Sequence, residues 1–214
     1  MIRCPRCLIE NSDIDIFCKN CGAILFPLEK SFKEIRKICI MFGDIVNFTS
    51  SAEKMDAEII TNVLGVVFDE ADKIIKNHKG FINRLIGDEY MAIFGYPEHN
   101  DDSVKSALES ALQINDFLKE KDFSKISGGI VSKIVLRTGI ADGNVSIGVD
   151  RDIYDTLIVI GDTVFKASQI EKLVEPGMIG VDQDTSTRMK EFVFSKAEAR
   201  ENIKFNYLKR KKHA

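Results

Sequence analysis

The chain has 214 residues, 44% of them hydrophobic and 29% charged, which is room for one substantial soluble domain and a small appendage. Thirty basic and thirty-three acidic residues leave a formal net charge of -3, so no global field favours nucleic acid or an anionic membrane, and any recognition of phosphate must be local. No apolar run reaches the length of a membrane span and the first residues are not a secretory signal, so the expected location is cytoplasmic.

Four of the five cysteines form two Cys-x-x-Cys pairs, Cys4/Cys7 and Cys18/Cys21. Two tight turns ten residues apart can gather four thiolates around one tetrahedral Zn2+. A redox pair would need a strand-helix setting that the segment lacks. A four-cysteine site has no open coordination position, so the zinc is expected to be structural, holding residues 1-25 as a ribbon too small to fold on its own core. A protein partner is the expected contact of such a ribbon, if it has one. Residues 26-36, with Pro27 and mixed charge, read as a linker.

From Lys37 the pattern changes. Ile38 to Phe42 is a continuous apolar run of strand length, and Asp44 stands just beyond it. Asp56 to Lys76 carries apolar residues near a 3.6 period, predicting a helix stopped by Gly80. Phe81 to Ile86 and Tyr90 to Phe94 flank a Gly87-Asp88 turn, and a second helix follows the Asn100 to Ser103 cap. Lys119 to Gly129 reads as a loop. Ile134 to Ile140 and Asn144 to Gly148 predict another hairpin around Asp142-Gly143, Thr156 to Ile160 a strand, and Thr163 to Leu173 a helix ended by Pro176-Gly177. The whole predicts an α+β sandwich, helices over a mainly antiparallel sheet, with Lys209 to Lys212 as a solvated basic end that lacks the interleaved aromatics of a nucleic-acid contact.

Asp44 alone would read as a helix cap and Asp88 alone as a turn residue. Set at the ends of neighbouring strands, the two carboxylates suit Mg2+ or Mn2+, which take hard oxygen ligands and leave room for substrate phosphates. Together with Leu136-Arg137-Thr138-Gly139-Ile140-Ala141-Asp142-Gly143 and Ile160-Gly161-Asp162-Thr163-Val164, they make the segment from about Lys37 to Val181 resemble the class III nucleotidyl cyclase domain, a ferredoxin-like sandwich.

That resemblance implies two protomers packed head to tail, as a homodimer or with a complementary cyclase domain, each shared site binding a nucleoside triphosphate. On one side it implies metal ligation by Asp44 and Asp88, a triphosphate cradle in the backbone of Ile45, Val46, Asn47, Phe48 and Thr49, and a phosphate-binding Arg137. On the other side the pattern breaks. The base-reading positions hold Arg84 and Ile158, the ribose-orienting position holds Phe165, and the position that steadies charge on the α-phosphate holds Gln169. Arginine does not substitute for lysine at a base edge, and isoleucine has no hydrogen-bonding group. Asp155 and Thr156 lie close enough to Ile158 to reach the base only if the register slipped, which the Gly161-Asp162-Thr163-Val164 run opposes. The expected function is Mg-ATP binding and weak or partner-dependent conversion to cyclic AMP and pyrophosphate, with adenine only weakly preferred. The alternative is a silent dimerisation or nucleotide-sensing module in signalling.

Overall fold

The computed structural model describes residues 2-4, 7-11, 19-20, 32-98, 100-150 and 156-212. The chain divides into two compact units, residues 1-34 with 147-158, and residues 35-146 with 159-214. In the first, β1 (Ile2–Arg3) and β2 (Glu10–Asn11) pair antiparallel, Arg3 opposite Glu10. Between them the Leu8 N–H donates to the Cys4 carbonyl, the Cys4 N–H donates to Ile9, and the Cys7 N–H points at Cys4 Sγ, 3.4 Å away. These bonds close a tight turn between Cys4 and Ile9. Cys18 and Cys21 lie outside the described residues, as does the rest of the expected linker up to residue 31.

The larger sheet is ordered β10-β11-β8-β6-β3-β5-β4, with β7 paired to β6 and β9 to β11. Its strands are β3 (Phe32–Ile45), β4 (Gly80–Ile86), β5 (Glu89–Phe94), β6 (Leu136–Asp150), β7 (Thr156–Ile160), β8 (Ile179–Asp182), β9 (Phe192–Phe194), β10 (Glu198–Arg200) and β11 (Ile203–Lys211). The helices are α1 (Phe48–Ala52), α2 (Ala57–Asn77), α3 (Ser103–Glu120), α4 (Asp162–Leu173) and α5 (Gln183–Arg188). The sheet is mainly antiparallel, with β6 and β8 running parallel, and the α+β sandwich is as expected. No helix among the described residues is long and apolar enough to cross a membrane.

The central strand β3 is buried from Ile38 to Phe42. Alternation sends Cys39 and Met41 into the core made with Val63, Val67 and Ile75 of α2 and Leu108 of α3. A smaller cluster joins Ile170 of α4 and Val174 to Phe205 and Tyr207 of β11. By the same period, Asp44 lies on the face opposite Cys39 and Met41. Gly43, one residue earlier, sits opposite Tyr90, whose ring would stand 2.5 Å from any Cβ there.

Three expectations are corrected. Asp142-Gly143 is not a turn: β6 runs unbroken through it, and Gly143 is required because a Cβ would stand 2.6 Å from Thr163 Oγ1 at the start of α4. β3 begins at Phe32, so the strand extends five residues into the segment read as linker. Lys209 to Lys211 belong to β11, where Arg210 and Lys211 pair with β9 past a register shift, because Phe205 and Tyr207 are buried in one cluster and Leu208 in the other; the basic side chains are exposed. The end of α2 also differs in detail, since Lys79 takes the left-handed conformation (φ 60°) while Gly80 opens β4 under the Phe94 ring.

Candidate active site

The Gly87-Asp88 turn is the two-residue hairpin the sequence predicts. Ile86 pairs with Glu89, and Gly87 takes φ 64°, a conformation glycine adopts without steric cost. The turn carries Asp88 back to the end of β3, where the Ile45 N–H donates to the Asp88 carbonyl at 3.2 Å. Asp44 and Glu89 are register partners on β3 and β5, so their side chains share a face. On the other flank, the Val46 N–H donates to the Val135 carbonyl at 2.9 Å, which brings in the strand carrying Arg137.

Arg137 is the hub. Its Nη2 donates to Asp44 Oδ2 at 2.5 Å, and its Nε lies 3.4 Å from Glu171 Oε1 on α4. The second contact is an ion pair without hydrogen-bond alignment, as neither Nε nor Oε1 has a hydrogen-bond partner. The bond to Asp44 raises the arginine's pKa further. Glu89 titrates above the ordinary glutamate range, chiefly through burial and then through the charge of Asp44. Glu171 is pushed up to about 7, by burial first and by Asp44 second, with Arg137 opposing. The pocket therefore holds more negative charge than it neutralises.

Among the described residues no three His, Cys, Asp or Glu side chains converge closely enough to hold a metal by themselves. Mg2+ and Mn2+ can bind through one or two carboxylates and complete their shell with phosphate and water. Asp44 and Asp88 are the carboxylates that would supply the hard oxygens.

The expected phosphate cradle is narrower than the sequence suggested. The N–H groups of Ile45 and Val46 are already engaged with Asp88 and Val135. Asn47 takes φ 56° as the N-cap of α1, leaving the N–H groups of Phe48 and Thr49 at its first turn without intrahelical acceptors. Phe48 itself is buried and anchors that turn.

The remaining positions are Arg84, Ile158, Phe165 and Gln169. Arg84 is exposed on the edge strand β4, just after a bulge, and lines a cleft with Asp69 and Asp72 of α2. Ile158 belongs to the first unit. Phe165 is 60% exposed, and Gln169, one helical turn on, is half-buried. With about 100° per residue, Gln169 points roughly 200° around α4 from Glu171, so these two positions face away from their own Arg137.

Sequence reasoning passed over Glu89 and Glu171. The signal for Glu171 was its place in the buried series Thr163, Ala167, Ile170, Glu171, an acid on the apolar stripe of a helix.

Residues 31-212 match the model of the adenylate and guanylate cyclase catalytic domain. The chain belongs to that family. It is 29% identical over 154 residues to the soluble guanylate cyclase gcy-31 of Caenorhabditis elegans, covering 72% of this chain and 22% of that protein. It is 30% identical over 146 residues to the receptor-type guanylate cyclase gcy-23 of the same organism, covering 68% and 13%. The chain thus spans less than a quarter of the length of these curated relatives. Among solved structures, the guanylate cyclase domain of RhGC from Catenaria anguillulae, in complex with GTP, superposes with a TM-score of 0.75 at 26% identity, covering 84% of this chain and all of that one. The adenylyl cyclase CyaB from P. aeruginosa shares the fold, with a TM-score of 0.75 at 23% identity over 84% and 96%. The class III cyclase catalytic domain is therefore the architecture on which Asp44, Asp88 and Arg137 are arranged.

Proposed function

We propose that this domain binds a metal-bound purine nucleoside triphosphate at Asp44, Asp88 and Arg137 and contributes one half of a shared cyclase site. The observation that carries the reading is the bond of Arg137 on β6 to Asp44 on β3, beside the Gly87-Asp88 turn that the Ile45 N–H ties to the end of β3, in a chain of this family. A bound Mg2+ or Mn2+ would supply charge neutralisation and orientation of the triphosphate. Asp44 and Asp88 hold it, the N–H groups of Phe48 and Thr49 donate to phosphate oxygens, and Arg137 adds positive charge beside them. In the reaction the ribose 3′-hydroxyl attacks the α-phosphorus in line, loses its proton and displaces pyrophosphate.

The second half-site, which the family places on the opposite protomer, carries Ile158, Phe165 and Gln169 in this chain. Phe165 and Gln169 turn away from the metal residues of their own chain, as a contribution to a neighbour's site requires. Each lost donor to transition-state charge costs on the order of 3 kcal/mol, so a head-to-tail homodimer is slow and a partner with an intact second half restores the rate. ATP is the weakly preferred substrate of the sequence reading. One observation favours GTP: Arg84 is a donor-only fork, suited to the paired acceptors O6 and N7 of guanine rather than the mixed edge of adenine.

Titrating Mg2+ or Mn2+ complexes of ATP and GTP into the protein, with mass-spectrometric search for 3′,5′-cyclic product, tests the reading. Metal-dependent binding that falls at least about tenfold in Asp44→Asn and Asp88→Asn is the expected result. Binding without cyclic product, alone or with any cyclase partner, would leave the nucleotide-sensing module in its place. No metal-dependent binding of either nucleotide would end both.

A further inference from the structure

Glu171 is a carboxylate with 1% of its side chain exposed and an Oε1 that no hydrogen bond satisfies. It is held there by the fold. At Gly139 a Cβ would lie 2.1 Å from the Ala167 carbonyl and 2.4 Å from the Glu171 nitrogen, so α4 rests directly on β6. That approach sets Glu171 beside Arg137, two residues upstream of the glycine. A buried, unsatisfied carboxylate is costly, and its neighbours on the helix, Ala167 and Ile170, complete an apolar stripe without it.

The guanidinium offers its donors on a rigid fork. In this structure Nη2 is committed to Asp44, and Nε faces Glu171 without closing on it. A divalent cation that takes Asp44 repels the guanidinium and competes for the same oxygen. We propose that Glu171 is the positioning residue that then keeps Arg137 in the site: the Nη edge leaves Asp44 and turns to the terminal phosphate oxygens of a nucleoside triphosphate, while the Nε edge closes onto Glu171. The charged groups whose fields reach Glu171 are Asp44 from β3, Glu89 from β5, Arg137 from β6 and Lys172 from its own helix. Of these, Arg137 is the one in ion-pair contact. The inference rests on the cyclase reading, and it assigns to that site a residue that never touches the nucleotide.

The test is a double-mutant cycle on nucleotide affinity. Fluorescent N-methylanthraniloyl ATP and GTP, each with Mn2+, are titrated into the full chain and into Glu171→Gln, Arg137→Met and the double variant, with folding checked by circular dichroism. Glu171→Gln weakens binding three- to tenfold in the parent and less than twofold in the Arg137→Met background. Equal weakening in both backgrounds, or none in the parent, overturns the positioning role while the cyclase reading stands. Absence of metal-dependent binding by the parent removes the reading itself, and the inference with it. Should Glu171→Gln fail to fold, Glu171→Met removes the same charge at similar length and is judged by the same criterion.

Discussion

Arg137 Nη2 lies 2.5 Å from Asp44 Oδ2, so an arginine occupies one oxygen of the carboxylate expected to hold a divalent cation. The two roles of Asp44 compete, and this sets opposite signs for metal and nucleotide. Arg137→Met frees Asp44 and removes a nearby positive charge, so Mn2+ alone should bind about threefold more tightly, roughly 0.6 kcal/mol. The same variant loses a charge-assisted contact to phosphate and should weaken Mn-nucleotide binding about tenfold. Electron paramagnetic resonance of free Mn2+ measures the first quantity and nucleotide fluorescence the second. If both constants move in the same direction, Arg137 is not exchanging between Asp44 and phosphate.

Glu171 makes stability depend on pH in a direction opposite to that of a salt-bridged carboxylate. Its folded value of about 7 stands above the unfolded value, so the folded chain binds more protons between roughly pH 4.5 and 7. Its contribution is therefore most favourable below about pH 4.5 and is lost as pH rises through 7. Glu171→Gln removes the ionisation, so its melting temperature relative to the parent should be several degrees higher at pH 8 than at pH 5.5. A difference that is flat across this range would mean that Glu171 is solvated or fully paired.

Gly139 and Gly143 lie on one strand and make different demands. A Cβ at Gly139 meets the backbone of α4, which cannot rotate away, whereas a Cβ at Gly143 meets the Thr163 side chain. Gly139→Ala should cost about 3 kcal/mol and Gly143→Ala about 1 kcal/mol, measured by denaturant unfolding. The reverse order would revive a turn at Asp142-Gly143.

The contrast shows which parts of the fold are legible in sequence. Gly87-Asp88 and Asp142-Gly143 look alike locally, both a glycine-aspartate pair between apolar runs. The first is a turn because its flanks pair with each other, Ile86 with Glu89. The second is strand because α4, distant in sequence, needs the missing side chain. Asp44, Asp88 and Arg137 could be singled out because each stands at an apolar strand in a recognisable local frame. Glu171 could not, since its meaning comes from a helix-strand contact at Gly139. The strands after Val181 went untraced for a related reason: their short alternating runs are defined by pairing with β11 rather than by their own periodicity.

A structural zinc held by Cys4, Cys7, Cys18 and Cys21 is a proposal that rests on their spacing. The Cys7 N–H aimed at Cys4 Sγ is the kind of second-layer contact that steadies a thiolate ligand. Metal analysis of freshly purified, reduced protein should find one zinc per chain, lost in Cys18→Ser. Protein free of zinc would leave the four-cysteine spacing without a metal to explain it.

The second half-site yields the most demanding prediction. Phe165 and Gln169 share the outward face of α4, and Phe165 exposes 60% of its surface, so substitutions there need not disturb the core. Phe165→Asn with Gln169→Arg restores ribose orientation and a charge donor for the α-phosphate. If each recovers on the order of 3 kcal/mol, the pair together raises kcat by at least 100-fold in a homodimer that is otherwise slow. Arg84→Lys with Ile158→Thr should act mainly on the ratio of kcat/KM for ATP to that for GTP, because it touches the base rather than the reacting phosphate. Cyclic-product assays on the parent, each pair and the fourfold variant separate the two effects. A fast parent homodimer would show that the second half-site works as it stands. A fourfold variant that folds, dimerises and binds metal-nucleotide but gains no turnover would leave the domain as a nucleotide-binding module.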